Sequence, residues 1–385
     1  EALARYGAKP CKPCLPQWAV RLEIWARAKQ STLQTKMGEF DAAMASVQRA
    51  LTLARAAELG EGDPDTLVAV VHLTLVLQSS GRNKEAIALL RDALVQRQRL
   101  LKDRHKLTLV TANNLASALA GDGQAQAAEA MYRQWLVVAE QVLDAGHPEL
   151  ATLKANFGKL LFDEGRIDEA EQLLADAYAR RLNRLGPTHP STLTNAMNLA
   201  VLYTAQAKNN PARFDDAERL IRAALDGTEA RFGPEHRQTA AVRSEYASVL
   251  RDRARYSDAD REFALAWAVA QRLLAPGDND RLRILFQYSG SLQRQQRYAE
   301  AETLSAQLLD EVKLSTDRGA LHARMAPLRH ARSLIGLARF EEAERLLQQL
   351  AASVDEKSDP QLHSSTLSVL AELQKASGRP EAAKR

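Results

Sequence analysis

Eight alanines recur through this chain at an almost fixed interval: Ala43, Ala86, Ala128, Ala170, Ala217, Ala259, Ala301 and Ala343. Six of the seven steps are 42 or 43 residues, and the step into Ala217 is 47. Each alanine closes a similar word, from "GEFDAA" and "GRNKEA" to "GRIDEA", "ARYSDA" and "ARFEEA", and a ninth word, "GRPEAA", stands near Arg385. No other property limits the fold as much. A unit of about 40 residues cannot bury a core alone, so each must stack on its neighbours and the chain must be an array. The long step holds "AKNNPAR", an insertion of five residues with Pro211, which reads as a projecting turn in an unbroken array.

Each unit reads as two helices. Apolar residues before each turn, as in "TLVTANNLASALAGDG", and after it, as in "EAEQLLADAYARRLNRLG", return every three or four positions, not every two. Ala, Leu, Arg, Gln and Glu dominate and aromatics are 5%, which favours helix almost throughout. The glycine of "SSGR" or "DEGR" suits a helix C-terminus, where positive φ costs little. The apolar residues four after the turn alanine, Val47, Leu90, Tyr132, Leu174, Ile221, Phe263 and Leu347, are core candidates, and Ser305 breaks the series. Ala200 and its equivalents are small so that helices can approach closely.

A second recurrent element lies between units. His105, His147, His189 and His236 stand where Asp63 and Asp278 stand in other units, as in "LGPTHPSTL". One metal ion cannot bind several of them. Equivalent residues of adjacent units are on the order of 10 Å or more apart because a helix pair lies between them, and a Zn–N bond is about 2 Å. The histidines therefore read as helix-entry residues, as Asp would be. Pro148 and Pro190 suit the first turn of the next helix, and Ser191 and Thr192 are expected partners for its free N–H groups.

The small residue at the middle of each first helix (Ala116, Gly158, Ala200, Ala247, Gly290, Ala331) and the alanine opening each second helix resemble the tetratricopeptide repeat. The 42-residue period, the "LGPTHPSTL" junction and "NNLASAL" or "MNLAVLY" are similar to the long variant found in kinesin light chains and in many bacterial signalling proteins. The resemblance implies an all-α fold, a right-handed superhelical solenoid of stacked helix-turn-helix repeats. It covers residues 18–385, about eight full repeats and a truncated ninth, after an N-terminal flank at 1–17. Repeats 1 and 8 depart most, with Lys29 and Arg329 where the family has a small polar residue. From about position 320 the pattern loosens, and "STDRGALHARM" reads as a longer or distorted junction.

Catalytic signatures are missing. The sequence has no phosphate-binding glycine loop, no nucleophile elbow, no HExxH and no dinucleotide fingerprint. Its carboxylates cluster in "DEA" and "EEA" words at the starts of second helices, where negative charge suits the helix dipole. No enzyme activity, cofactor or metal is expected. Cys11 and Cys14 in "KPCKPCLP" lack the second pair that a zinc site needs. They read as two thiols in a flank, with a local disulfide or half of a zinc site left open. No apolar run approaches 18 residues, so no membrane insertion is expected. The absence of an initiating Met leads us to expect a piece of a longer protein, placed in the cytoplasm.

Two residues before the small residue of each first helix stand Lys29, His72, Asn114, Asn156, Asn198, Glu245, Gln287 and Arg329. In the family that resemblance points to, this position faces the concave groove and asparagines hold a peptide backbone there. An amide carries both donor and acceptor, as an extended peptide requires. Helical spacing adds Lys159 near Asn156, Arg251 near Glu245, Arg283 and Arg294 near Gln287, and Arg332 near Arg329. The wall so defined grows rich in arginine toward the C-terminus, and arginine forks match carboxylates and phosphates. The alternative for each is structural, with asparagines ordering the stack and arginines simply solvated. The expected function is a scaffold that binds an extended peptide, acidic or phosphorylated, or a partner domain, as the regulatory region of a larger signalling protein. A sensor arm C-terminal to a bacterial Ser/Thr kinase domain is the second reading. An RNA-binding repeat ranks last, because the net charge is only +4 and stacking aromatics are few. The oligomeric state is left open.

Overall fold

The structure, a computed structural model, describes residues 16–36, 39–144, 146–315, 321–354 and 359–378. The Cys11–Cys14 pair and the "GRPEAA" word after its Gly378 lie outside them. Among the described residues there are eighteen helices and no strand. The chain divides into two compact units, residues 1–160 and 161–385.

The first unit contains α1 (Gln17–Lys36), α2 (Phe40–Ala56), α3 (Pro64–Ser79), α4 (Asn83–Leu101), α5 (Lys106–Gly121), α6 (Ala125–Val142) and most of α7 (Pro148–Asp163). The second contains α8 (Ile167–Leu185), α9 (Pro190–Gln206), α10 (Arg213–Phe232), α11 (Arg237–Asp252), α12 (Tyr256–Leu273) and α13 (Asn279–Arg294). It continues with α14 (Tyr298–Val312), α15 (Leu321–Arg324), α16 (Ala326–Gly336), α17 (Phe340–Ser353) and α18 (Pro360–Ser377). In this second unit the first helices of successive pairs, α9, α11, α13, α16 and α18, pack side by side.

The turn inside each pair follows from local chemistry. Gly81, Gly123 and Gly165 adopt φ of +76° to +78°. The next residue closes the helix by donating from its N–H to a carbonyl five back: Arg82 to Leu77 at 2.8 Å, Arg166 to Leu161 at 2.8 Å. That is the left-handed C-terminal cap glycine makes cheap. Later pairs keep the geometry without glycine. Ala254, Gln296 and Ala338 take φ of 62°, 61° and 57°, and Arg255, Arg297 and Arg339 make the same closing bond.

The junctions between pairs are capped by the recurrent histidines. Nδ1 of His105, His147, His189 and His236 accepts from the backbone N–H two residues on, at 3.1–3.2 Å. Asp63 and Asp278 accept the same bond through Oδ1 at 2.9 Å. Pro148 and Pro190 open their helices. One expectation is corrected here: the free N–H groups are met by His189, not by the side chains of Ser191 and Thr192. Ser191 supplies the donating N–H, and the Thr192 hydroxyl is buried without a partner among the described residues.

The seven core candidates, Val47, Leu90, Tyr132, Leu174, Ile221, Phe263 and Leu347, are all at most 2% exposed. Tyr132 stacks on Phe157 at 5.5 Å and Phe263 on Tyr288 at 5.3 Å, each meeting the first helix of the following pair. Ser305 is buried too, and its hydroxyl pairs with His330 Nδ1 at 3.1 Å and Ser333 Oγ at 3.3 Å. A polar contact thus replaces the apolar one where the series breaks.

Arginines tie neighbouring pairs of the second unit together. Arg213 reaches back to Glu171 (2.8 Å), Arg255 to Glu218 (2.7 Å), Arg297 to Asp260, and Arg339 to Glu302 (3.1 Å). Each also binds a carboxylate three residues ahead: Asp216, Asp258, Glu300 and Glu342. The acidic words at second-helix starts therefore bridge repeats besides serving the dipole.

The two irregular places stand where the sequence put them. Lys208–Ala212 are exposed between α9 and α10, yet Arg213 directly after them stacks over Tyr203 at 4.6 Å and keeps its bond to Glu171. The last complete pair begins with the four-residue α15 and restarts at α16, whose first turn holds Pro327.

Candidate functional site

The register position two before each small residue was expected to line a binding face, and the structure divides its members. The small residues are buried: Ala116, Ala200, Ala247 and Ala331 are at most 1% exposed. His72 is taken up by Thr32, whose Oγ1 lies 2.6 Å from its Nδ1. Burial, with Lys29 nearby, pushes the His72 pKa down to about 4. Asn156 donates to Asn113 Oδ1 at 3.1 Å, joining α7 to α5. Asn113, one residue from the expected Asn114, is thus the partner that sequence reasoning missed. Asn114 on α5 and Asn198 on α9 are half-buried and make no side-chain hydrogen bond to described residues. Lys159 is exposed on α7.

In the second unit the expected arginines are brought together on α11, α13 and α16, but most meet carboxylates. Glu245 accepts from Gln287 at 2.9 Å and pairs with Arg283, which also holds Asp280 at 3.0 Å. Burial works against the charge of Arg283, yet Glu245 and Asp280 outweigh it and raise its pKa. Burial likewise opposes ionisation of Asp280, while Arg283 and Arg237 hold its carboxyl below the usual range. Asp252 takes both Arg251 (3.0 Å) and Arg294 (2.7 Å). Arg332 forks onto Glu372 at 2.9 and 3.0 Å. The wall is therefore a set of matched charges across neighbouring helices. The signal was present in the sequence: Glu245 and Gln287, like Asp252 and Arg294, stand 42 residues apart at one register.

Arg329 differs. Its guanidinium lies over the Phe286 ring at 4.2 Å from the centroid, and Nη1 donates to Gln293 Oε1 at 3.0 Å. It rests on Gly290, where a Cβ would stand 2.6 Å from Nη1 and 2.8 Å from Cζ. Nε is buried with no partner, and among the described residues no carboxylate pairs with this side chain. Burial, together with the positive charges of Arg332, Arg251 and Arg294, pushes its pKa down to about 9. Gln293 in turn donates to Ser333 Oγ at 2.7 Å, linking Arg329 to the Ser305–His330 contact.

Among the described residues no group of three or more His, Cys, Asp or Glu could hold a metal ion. No helix among them is long and apolar enough to cross a membrane.

Residues 65–141, 107–183 and 149–213 match the family model of the tetratricopeptide repeat. No curated protein sequence matches the chain significantly. Among solved structures the chain is similar to BtubC (BKLC) from P. vanneervenii, with 20% identity over 62% of this chain and 95% of that one and a TM-score of 0.50. It is similar to a Rap protein complexed with competence and sporulation factor, with 14% identity over 93% and 98% and a TM-score of 0.50. A third likeness is to nearly identical TPR-like repeats ascribed to a kinesin light chain of Podosopora anserina, with 23% identity over 55% and 98% and a TM-score of 0.47. Residues 65–213 match tetratricopeptide repeats, and among the described residues helix pairs continue the same 42-residue register on both sides, an array of that kind.

Proposed function

We propose that the chain is a protein-interaction scaffold that holds an extended peptide, or an extended segment of a partner domain, on the faces built by its first helices. The open amides carry this reading. Asn114 and Asn198 stand at the register where Asn156, Glu245 and Gln287 are spent on neighbouring helices. An unspent amide on a helix face offers a donor and an acceptor to a peptide backbone. The repeat family supports the scaffold, and so does a like fold solved with a bound factor. Arg251, Arg283, Arg294 and Arg332, already matched to carboxylates, tune the charge of the wall around Arg329. The ligand is accordingly acidic or phosphorylated. Such a scaffold suits the regulatory part of a larger signalling protein.

The test is a peptide-array screen with the wild-type chain beside an Asn114→Ala/Asn198→Ala variant, both checked for helix content by circular dichroism. Each lost hydrogen bond costs about 0.5–1.5 kcal/mol, so peptides captured by the wild type should bind the variant roughly tenfold more weakly. Equal binding by a folded variant refutes the assignment.

A further inference from the structure

Four guanidiniums, those of Arg251, Arg294, Arg329 and Arg332, act on one small region of the α11–α13–α16 face. Their direct carboxylate partners are two, Asp252 and Glu372. Four positive charges against two negative ones leave two uncompensated. The excess is centred on Arg329, which alone of the four pairs with no described carboxylate.

Arg329 is also built to stay in place. An arginine free to move would swing into water or toward an acid. This one is held flat by the Phe286 ring on one side and the bare Cα of Gly290 on another, and Gln293 fixes one nitrogen. Cation–π contact and a fixed hydrogen bond lower the entropy that a fork loses on binding an oxyanion. Nε, one donor of the fork, is buried with no partner among the described residues, so it is unspent on any carboxylate.

We infer that this patch is a subsite for a phosphoryl group carried by the protein ligand, with Arg329 as its direct contact and Arg251, Arg294 and Arg332 as the surrounding field. The argument for phosphate over carboxylate is charge. A phosphoserine or phosphothreonine brings about −1.5 to −2 near neutral pH, which matches the two uncompensated charges, and a single Glu or Asp matches one. The same count disfavours a polyanion, since the remaining arginines of the wall are already matched. The inference rests on the reading of this face as the ligand face.

The experiment titrates the full chain, labelled with ¹⁵N, with three blocked tripeptides: Gly-phosphoserine-Gly, Gly-Glu-Gly and Gly-Ser-Gly. Arginine Nε–H resonances are followed. The Arg329 signal, assigned through Arg329→Gln, should shift with the phosphopeptide, and the Glu peptide should bind at least tenfold more weakly. Arg329→Gln should abolish the phosphopeptide effect. Gly290→Ala displaces the guanidinium and should weaken it about tenfold. Arg332→Gln, on a half-exposed side chain that leaves the core untouched, should weaken it severalfold and serves if Gly290→Ala does not fold. Equal binding of the phosphopeptide and the Glu peptide, or phosphopeptide binding that survives Arg329→Gln, overturns the subsite. If peptide capture falls with Asn198→Ala, in the same unit, and ignores Arg329→Gln, the subsite is wrong and the face is right. If capture ignores both, the face itself is wrong.

Discussion

Oε1 of Glu218 lies 2.7 Å from Nη1 of Arg255, 37 residues on in the next helix pair, while its Oε2 is 2.7 Å from Arg253. Glu218 is only 13% exposed, and Tyr246 also donates to it at 3.3 Å. One carboxylate thus serves three donors from the following repeat. Glu218→Gln should lower stability by about 1–2 kcal/mol in urea unfolding, the scale of charge-assisted bonds. A double-mutant cycle with Arg255→Gln should give a coupling of about 0.2–1 kcal/mol that shrinks in salt, because Arg255 is partly exposed. No coupling at low salt would mean that the rungs between pairs add nothing.

Three turns inside helix pairs, at Ala254, Gln296 and Ala338, hold a left-handed residue that is not glycine. Ala254→Gly and Ala338→Gly relieve that strain and should each stabilise the chain by about 0.5–1 kcal/mol, after the glycine's own entropy is counted. Gly165→Ala should cost a similar amount. A Cβ there meets nothing within 4 Å, so the cost is conformational alone. Thermal unfolding of the three variants checks both signs.

Ala200 is fully buried in α9 at a contact between helices. Ala200→Leu should overpack the stack and cost about 1–3 kcal/mol. Ala200→Gly should cost about 1 kcal/mol through helix propensity and lost contact. A leucine tolerated without loss in chemical denaturation would show that the pairs slide freely past one another.

The His72 pKa, near 4 in the folded chain, sits below its ordinary value of about 6.5. The unfolded state therefore binds a proton first as the pH falls. The stability associated with neutral His72 is fully present above pH ~6.5 and is lost as the pH falls toward 4. The slope is about 1.4 kcal/mol per pH unit. Urea unfolding at pH 7.5 and 5.0 should show a loss smaller by about 2 kcal/mol in His72→Gln than in the wild type. Identical losses would place the acid sensitivity elsewhere.

What the sequence revealed depended on distance along the chain. The turn alanines, the residue four after them and the capping histidines were legible because each acts within its own unit and repeats in register. Ser305 was legible only as an exception. Its reason, His330 and Ser333, lies on a helix one pair on, and periodicity carries no information about that contact. The arginines were the least legible. "RFDDA" and "RYSDA" display the partner three residues ahead of the arginine and conceal the one 37 to 42 residues behind, which becomes a neighbour only when pairs stack. For the same reason the expected wall of open arginines became a set of matched charges. Comparing charges at equal register in successive repeats would have found Asp252 with Arg294, yet not the seat of Arg329, which needs the missing Cβ of Gly290.

The exposed turn at Lys208–Ala212 has one more consequence. The rung from Arg213 to Glu171 and the stack on Tyr203 survive five extra residues placed immediately before them. Loop length at this point is therefore uncoupled from the spacing of the helices. It is a splice point, where a fluorescent reporter or a whole foreign domain could be grafted while the repeats on either side keep step.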